Sequence, residues 1–319
     1  MRTSVVSRFE AAADAIAGGD ATTLARLLSE EPGLVHDRST REHRSTLLHY
    51  VSANGIEDFR QKTPANILEI TKLLLDAGAD VNAESDAYGG RSTTLGLTAT
   101  SCHPAEAGVQ LALIDLLITR GATIDDGAVL ACLHNGRGEA AEDLANRGSP
   151  LNLEAAAGVG WLDLVRTLKA SATEKEVRDG FAWACQFGHT SVVAFLLESG
   201  LSVNTKLPHD RQTGLHWAAY GGHADTVKLL LDHAAPVAVR DESYDGTPLG
   251  WALYCWGAGR KPAGKGDYYE AVALLIRAGA KLDPGWFEHD LDRRRVRDKV
   301  QADPKMVAAL KGESSAPRW

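Results

Sequence analysis

The sequence predicts an all-α solenoid of about eight helix–turn–helix repeats with capping helices. Three observations carry that expectation. A helix opening recurs: Thr213-Gly214-Leu215-His216-Trp217-Ala218 returns one period later as Thr247-Pro248-Leu249-Gly250-Trp251-Ala252, with earlier versions at Ser45-Thr46-Leu47-Leu48-His49-Tyr50 and Ser92-Thr93-Thr94-Leu95-Gly96-Leu97. A glycine stop recurs, as Gly222-His223 and Gly188-His189. A unit ending recurs, as Ala77-Gly78-Ala79-Asp80, Arg120-Gly121-Ala122-Thr123, Ser199-Gly200-Leu201-Ser202 and Ala278-Gly279-Ala280-Lys281. Two helices this short cannot bury their apolar faces against each other alone, so each pair needs copies beside it.

The stretch Thr213–Asp232 shows the unit most fully. Thr213 is placed to cap a first helix. Leu215, Ala218 and Ala219 form a small apolar stripe at helical spacing. Gly221-Gly222 ends that helix, because glycine adopts the left-handed conformation at little cost. Val227, Leu230 and Leu231 give the inner face of a second helix. With its Thr-x-Leu-His-x-Ala opening the chain resembles the ankyrin repeat family, whose unit spans about 33 residues. The resemblance covers roughly residues 9–283 and is specific for fold, while saying little about function. It implies that His49 and His216, in the Leu-His of the opening, hydrogen-bond neighbouring turns. His189 and His223 at the glycine stops are likewise assigned to structure.

In chain order, residues 1–44 read as an N-terminal capping helix pair and loop, with helices from Phe9 to Ile16 and from Ala21 to Leu28. Residues 45–283 read as the repeats. The second repeat starts at Thr46, its second helix running from Ala65-Asn66 to Asp76, with an insertion at 56–64. The third starts at Thr93 and carries an insertion at 102–110. The loop before it, Asp86–Arg91, supplies Tyr88 and Arg91 as candidate contacts. Short repeats follow at Gly127–Asn152 and Leu153–Ala172. Residues 173–179 lead into the sixth repeat, Gly180–Asn204. The eighth, from Thr247, carries an insertion at 257–266. Residues 284–319 read as a charged C-terminal helical cap and tail.

Composition is that of an ordinary soluble chain: 319 residues, 44% hydrophobic and 24% charged. A net charge of −8 argues against nucleic acid as a partner. No apolar run reaches the ~18 residues of a membrane span. Met1–Ser7 lacks an apolar signal core. The four cysteines, Cys102, Cys132, Cys185 and Cys255, form no Cys-x-x-Cys pair and suit a reducing cytoplasm.

Aligned on the glycine stop, one column collects Tyr220, Tyr254, Gln186, His134, Thr100 and Ala53, with Phe187 beside it and Trp256 nearby. Stacked repeats bind on the concave face that such a column lines. Gln186, Phe187, Tyr220, Tyr254, Trp256 and His134 are therefore candidate partner contacts. Trp183, Trp217 and Trp251 share one repeated helix position and read as core. The insertions occupy one place in their repeats and are expected to project from one rim, bringing Arg60, His103 and Lys261. Their basic residues suit an acidic peptide or an anionic ligand. Cys102, His103, Cys132 and His134 have metal-binding chemistry, but their spacing matches no compact zinc pattern, so neither metal nor cofactor is assigned. No nucleophile elbow and no His-Glu-x-x-His is present.

Ser45–Gln110 also resembles a bacterial subgroup of ankyrin proteins, through Leu48-His49-Tyr50-Val51, Arg60-Gln61-Lys62-Thr63-Pro64 and Ser101-Cys102-His103-Pro104. That subgroup has no assigned activity and transfers no residue role. The sequence thus points to a module that binds a protein or peptide rather than to an enzyme. The alternative is an anionic-ligand or catalytic pocket closed by the insertions.

Overall fold

A computed structural model describes residues 7–207, 211–259 and 266–313, which are mostly helical. Two compact units divide at Pro150 and Leu151.

The first unit contains α1 (Arg8–Gly18), α2 (Ala21–Glu30), a 3-10 helix (Leu47–Ser52), α3 (Ile67–Asp76), α4 (Thr94–Thr100), α5 (Cys102–Glu106), α6 (Gln110–Thr119), α7 (Ala128–His134) and α8 (Gly138–Asn146). α1, the 3-10 helix, α4 and α7 pack in series, and α2, α3, α6 and α8 pack behind them. Two departures from the expected pattern stand out. The opening at Thr46 forms a 3-10 helix instead of an α-helix, ending at Ala53, whose φ is 49°. A two-stranded antiparallel ladder, β1 (Glu84–Ser85) with β2 (Ser92–Thr93), brackets the loop carrying Tyr88 and Arg91.

The second unit contains α9 (Leu153–Gly158), α10 (Leu162–Leu168), α11 (Glu174–Phe187), α12 (Thr190–Glu198), α13 (Gly214–Gly221), α14 (Ala224–Asp232), α15 (Pro248–Gly257), α16 (Tyr268–Arg277), α17 (Leu291–Ala302) and α18 (Pro304–Ala309). α9, α11, α13 and α15 form one layer, α12, α14 and α16 a second, and α17 and α18 pack on α15 and α16. Between the layers lies one apolar core including Phe181, Val193, Leu196, Leu215, Leu230, Leu249, Val272 and Leu275. Residues 173–179 do not lead into α11 but form its first turns. The Thr173 hydroxyl accepts from the Glu176 N–H, and the Glu176 carboxylate accepts from the Thr173 N–H, a reciprocal cap that starts the helix there.

The recurring histidines tie successive pairs together. His223 donates Nε2–H to the Gln186 carbonyl at 2.8 Å, and His189 reaches the Gly158 carbonyl at 3.0 Å. A Cβ on Gly221 would collide with the His223 ring and the Gln186 carbonyl, so close approach requires glycine there, while Gly222, with φ 70°, makes the turn.

Candidate functional site

The candidate site is an aromatic face on α11, α13 and α15. These helices lie side by side, so residues at equivalent positions meet across them. Trp183, Trp217 and Trp251 occupy that shared position. The Trp183 and Trp217 rings are 6.5 Å apart, and those of Trp217 and Trp251 are 5.3 Å apart at 82°. One turn further along each helix, Phe187 packs on Trp183 at 6.4 Å and Tyr220 on Trp217 at 5.5 Å. Tyr220 also meets Trp251 at 5.7 Å. All five rings are half-buried. The expectation that the three tryptophans are core is therefore corrected. Small residues, Ala184, Ala218 and Ala252, take the core positions beside them. The wide rings pack against one another at the surface, edge-on where Trp217 meets Tyr220 and Trp251 and tilted in the other pairs.

Hydrogen bonds orient two of the three indoles. Trp183 donates Nε1–H to Glu154 at 3.0 Å, and Trp251 donates to Asp241 Oδ2 at 2.9 Å. Glu154 is 4% exposed and Asp241 3% exposed. Asp241 closes its own turn, accepting from the N–H groups of Tyr244 at 2.7 Å and Gly246 at 2.9 Å. Gly246 must be glycine, since a Cβ there would meet Trp251 Nε1 at 2.7 Å and Asp241 Oδ2 at 2.8 Å. His216 holds the same turn from α13. Its Nδ1 accepts from the Thr213 N–H at 3.1 Å and its Nε2–H donates to the Gly246 carbonyl at 3.2 Å. Burial, the largest influence, holds the His216 pKa below its ordinary value, so the ring acts as a neutral donor–acceptor link. The repeat opening thus positions a tryptophan on the next helix. Trp217 differs: its Nε1–H is buried and has no hydrogen-bond partner.

The remaining sequence candidates separate into those near this face and those elsewhere. Tyr254 sits one turn past Trp251 on α15 and is 43% exposed. Gln186, expected on the face, is buried, because its position turns inward beside Cys185. Trp256 is half-buried and packs on Tyr269 of α16 at 6.3 Å, away from the ladder contacts. Tyr244, which the sequence reading passed over, is exposed and lies 6.4 Å from Trp251. Lys261 lies outside the described residues, with most of the insertion that carries it.

Arg60, His103, His134, Tyr88 and Arg91 belong to the first unit. Arg60 does not project from a rim. It is 3% exposed and reaches Glu10 at 2.7 Å, Asp14 at 2.7 Å and Glu57 at 3.6 Å. Its Tyr50 neighbour donates its hydroxyl to Glu57 at 3.3 Å, and Arg41 pairs with both Glu10 and Glu57. Burial, the largest influence, would raise the Glu10 and Glu57 carboxyl pKa values, but both are held below the ordinary range, Glu10 by Arg41 and Arg60, and Glu57 by hydrogen bonds from backbone N–H and His43 ahead of the two arginines. Charge pairing across a buried contact folds the 56–64 insertion back onto α1. The 102–110 insertion is partly helical: His103 is half-buried on α5. His134 lies on α7 with its Nδ1 2.7 Å from the Leu130 carbonyl of the same helix. Cys132 points inward, its thiol pKa pushed up to about 12 by burial, which suits packing rather than ligation. Tyr88 is exposed and donates to Asn54 at 2.6 Å, while exposed Arg91 pairs with Glu84 at 3.5 Å.

A concavity beside the ladder, lined by Arg178, Phe181, Leu207, Gln212 and Trp217 among others, has no room for a water molecule. Among the described residues no helix is long and apolar enough to cross a membrane.

A comparison with curated proteins finds no match to the chain. The comparison with protein families does: residues 181–285, which hold the second half of α11 and all of α12 to α16, match the family of ankyrin repeats in three copies, and this stretch of the chain is built of ankyrin repeats.

Proposed function

We propose that the chain binds another protein or peptide across the aromatic face of α11, α13 and α15. The observation that carries this reading is the continuous contact of five half-exposed rings, Trp183, Phe187, Trp217, Tyr220 and Trp251, with Tyr254 beyond them. A face with only a packing role would present solvated charges. Clustered tryptophan and tyrosine instead supply the rigid, amphipathic area that dominates interface energetics. Ankyrin repeats generally serve as protein-interaction modules, which agrees.

The same reading treats the helix pairs as eight stacked repeats, counting α1 with α2 as the cap and α15 with α16 as the last. It also treats the chain as a binding module rather than an enzyme, in the cytoplasm, where four free thiols are at home. The anionic-ligand reading draws no support from the described residues. Arg60 is engaged by three carboxylates, and the cleft beside Trp217 is closed to water.

Selection of a random displayed peptide library on the intact protein tests the proposal. Binders should lose most of their affinity on the Tyr220→Ala/Tyr254→Ala variant. Binders that hold equally well to that variant would place the binding surface elsewhere.

A further inference from the structure

We propose that the partner presents a cationic side chain, arginine or lysine on an extended peptide, which stacks on Trp217 and Trp251 beside the buried carboxylate of Asp241. This rests on the binding-face reading above and adds the chemistry of the occupant.

The first observation is an uncompensated charge. Asp241 is 3% exposed, and its carboxylate is met only by neutral donors: two backbone N–H groups and the Trp251 indole. Among the described residues no arginine or lysine pairs with it. Three arginines around its turn are committed, and exposed Lys206 pairs through its backbone with Thr213 and forms no ion pair with Asp241. Arg240 pairs with Asp245 at 2.8 Å, Arg211 with Glu242 at 3.1 Å, and Arg293, which reaches the Tyr244 carbonyl, with Asp290 at 3.3 Å. A buried carboxylate without a counter-ion favours a positive charge arriving at the adjacent surface.

The second observation is independent and concerns the rings. Among the described residues, cations stand over Phe195, Trp286 and Tyr269, but none over Trp217 or Trp251. The Trp251 N–H···carboxylate bond pushes electron density into the indole, which strengthens the negative face a cation seeks. At the other end of the ladder, Glu154 receives Trp183 in the same way.

An acidic peptide, which the insertion residues Arg60 and Lys261 suggested, fits less well. Arg60 is spent on Glu10, Asp14 and Glu57, and a carboxylate laid on Trp251 would meet Asp241.

Three N-acetylated, C-amidated pentapeptides test the inference by tryptophan emission of the intact protein: Gly-Arg-Gly-Arg-Gly, its citrulline twin of the same shape without charge, and its glutamate twin. The arginine peptide should bind about fivefold or more tighter than the citrulline one, with the glutamate peptide weakest. The preference should vanish in Trp217→Leu and persist, weakened, in Trp217→Phe, which keeps a ring and confirms a folded face. Equal binding of the citrulline peptide, tighter binding of the glutamate peptide, no binding by any of the three, or an undiminished preference in Trp217→Leu would each overturn it. The library selection separates this failure from that of the binding face. Uncharged or acidic binders that still depend on Tyr220 and Tyr254 would leave the face standing and remove the cation.

Discussion

Trp251 donates its indole N–H to Asp241 at 2.9 Å, and the carboxylate that receives it is itself the clasp of the turn before α15. One bond therefore fixes a ring on the candidate face and the loop beside it. Trp217, at the same repeat position one helix earlier, has a buried N–H with no partner. The pair makes a controlled comparison. Trp251→Phe strips a donor from a buried carboxylate and should cost about 1–3 kcal/mol. Trp217→Phe removes an unsatisfied donor and should be near neutral or mildly stabilising. Urea denaturation followed by circular dichroism measures both, and a larger loss for Trp217→Phe would contradict the assignment.

Arg60 should be a stability residue. Arg60→Met keeps much of the stem and removes the charge that Glu10, Asp14 and Glu57 share, leaving carboxylates crowded together. Breaking such a pair from one side should cost about 3 kcal/mol. The thermal midpoint should fall, while peptide binding to the second unit stays unchanged. A variant as stable as the parent would mean that the insertion is not held through this contact.

The histidines set an acid limit. Burial depresses His49 and His223 from 6.5 to about 4. With folded values below the unfolded one, the unfolded chain takes up these protons first. Their contribution to stability is whole above about pH 6.5 and is lost as pH falls towards 4. Because His49 lies in the first unit and His223 in the second, both should soften over that window. A melting temperature flat from pH 7 to 4.5 would contradict this.

Thiol reactivity should be one-sided. Cys132, Cys185 and Cys255 are buried, and burial raises the Cys132 and Cys185 thiols well above their ordinary range. Cys102 is half-exposed. Brief iodoacetamide treatment of the native protein should label Cys102 alone, and unfolding in urea should expose all four, as mass spectrometry would register.

The parts legible in the sequence were those governed by neighbours along the chain. The glycine stops, the Thr213–His216 opening and the ends at Asp76 and Asp232 follow from capping and backbone freedom, and the helices end there. The capping box at Thr173 was equally local. Its Thr-x-x-Glu spacing stands in the sequence, although the missing repeat opening concealed it. Long-range partners were not legible. Nothing near Arg60 announces Glu10 and Asp14, and nothing near Trp251 says whether its ring turns to the core or to water. That choice is decided by Ala252 and Leu253 filling the interior. Asp241 and Tyr244, in a turn that varies between repeats, carried only the weak signal of their closeness to the Trp251 opening.

The aromatic face itself is tested most directly by the indole N–H resonances of the protein during titration with a selected peptide. Seven tryptophans give separate probes. The account predicts that the signals of Trp183, Trp217 and Trp251 shift together, while those of Trp161 and Trp286, which take no part in the ladder, stay in place. Shifts confined to Trp161 or Trp286, with the three ladder indoles unmoved at saturation, would contradict it.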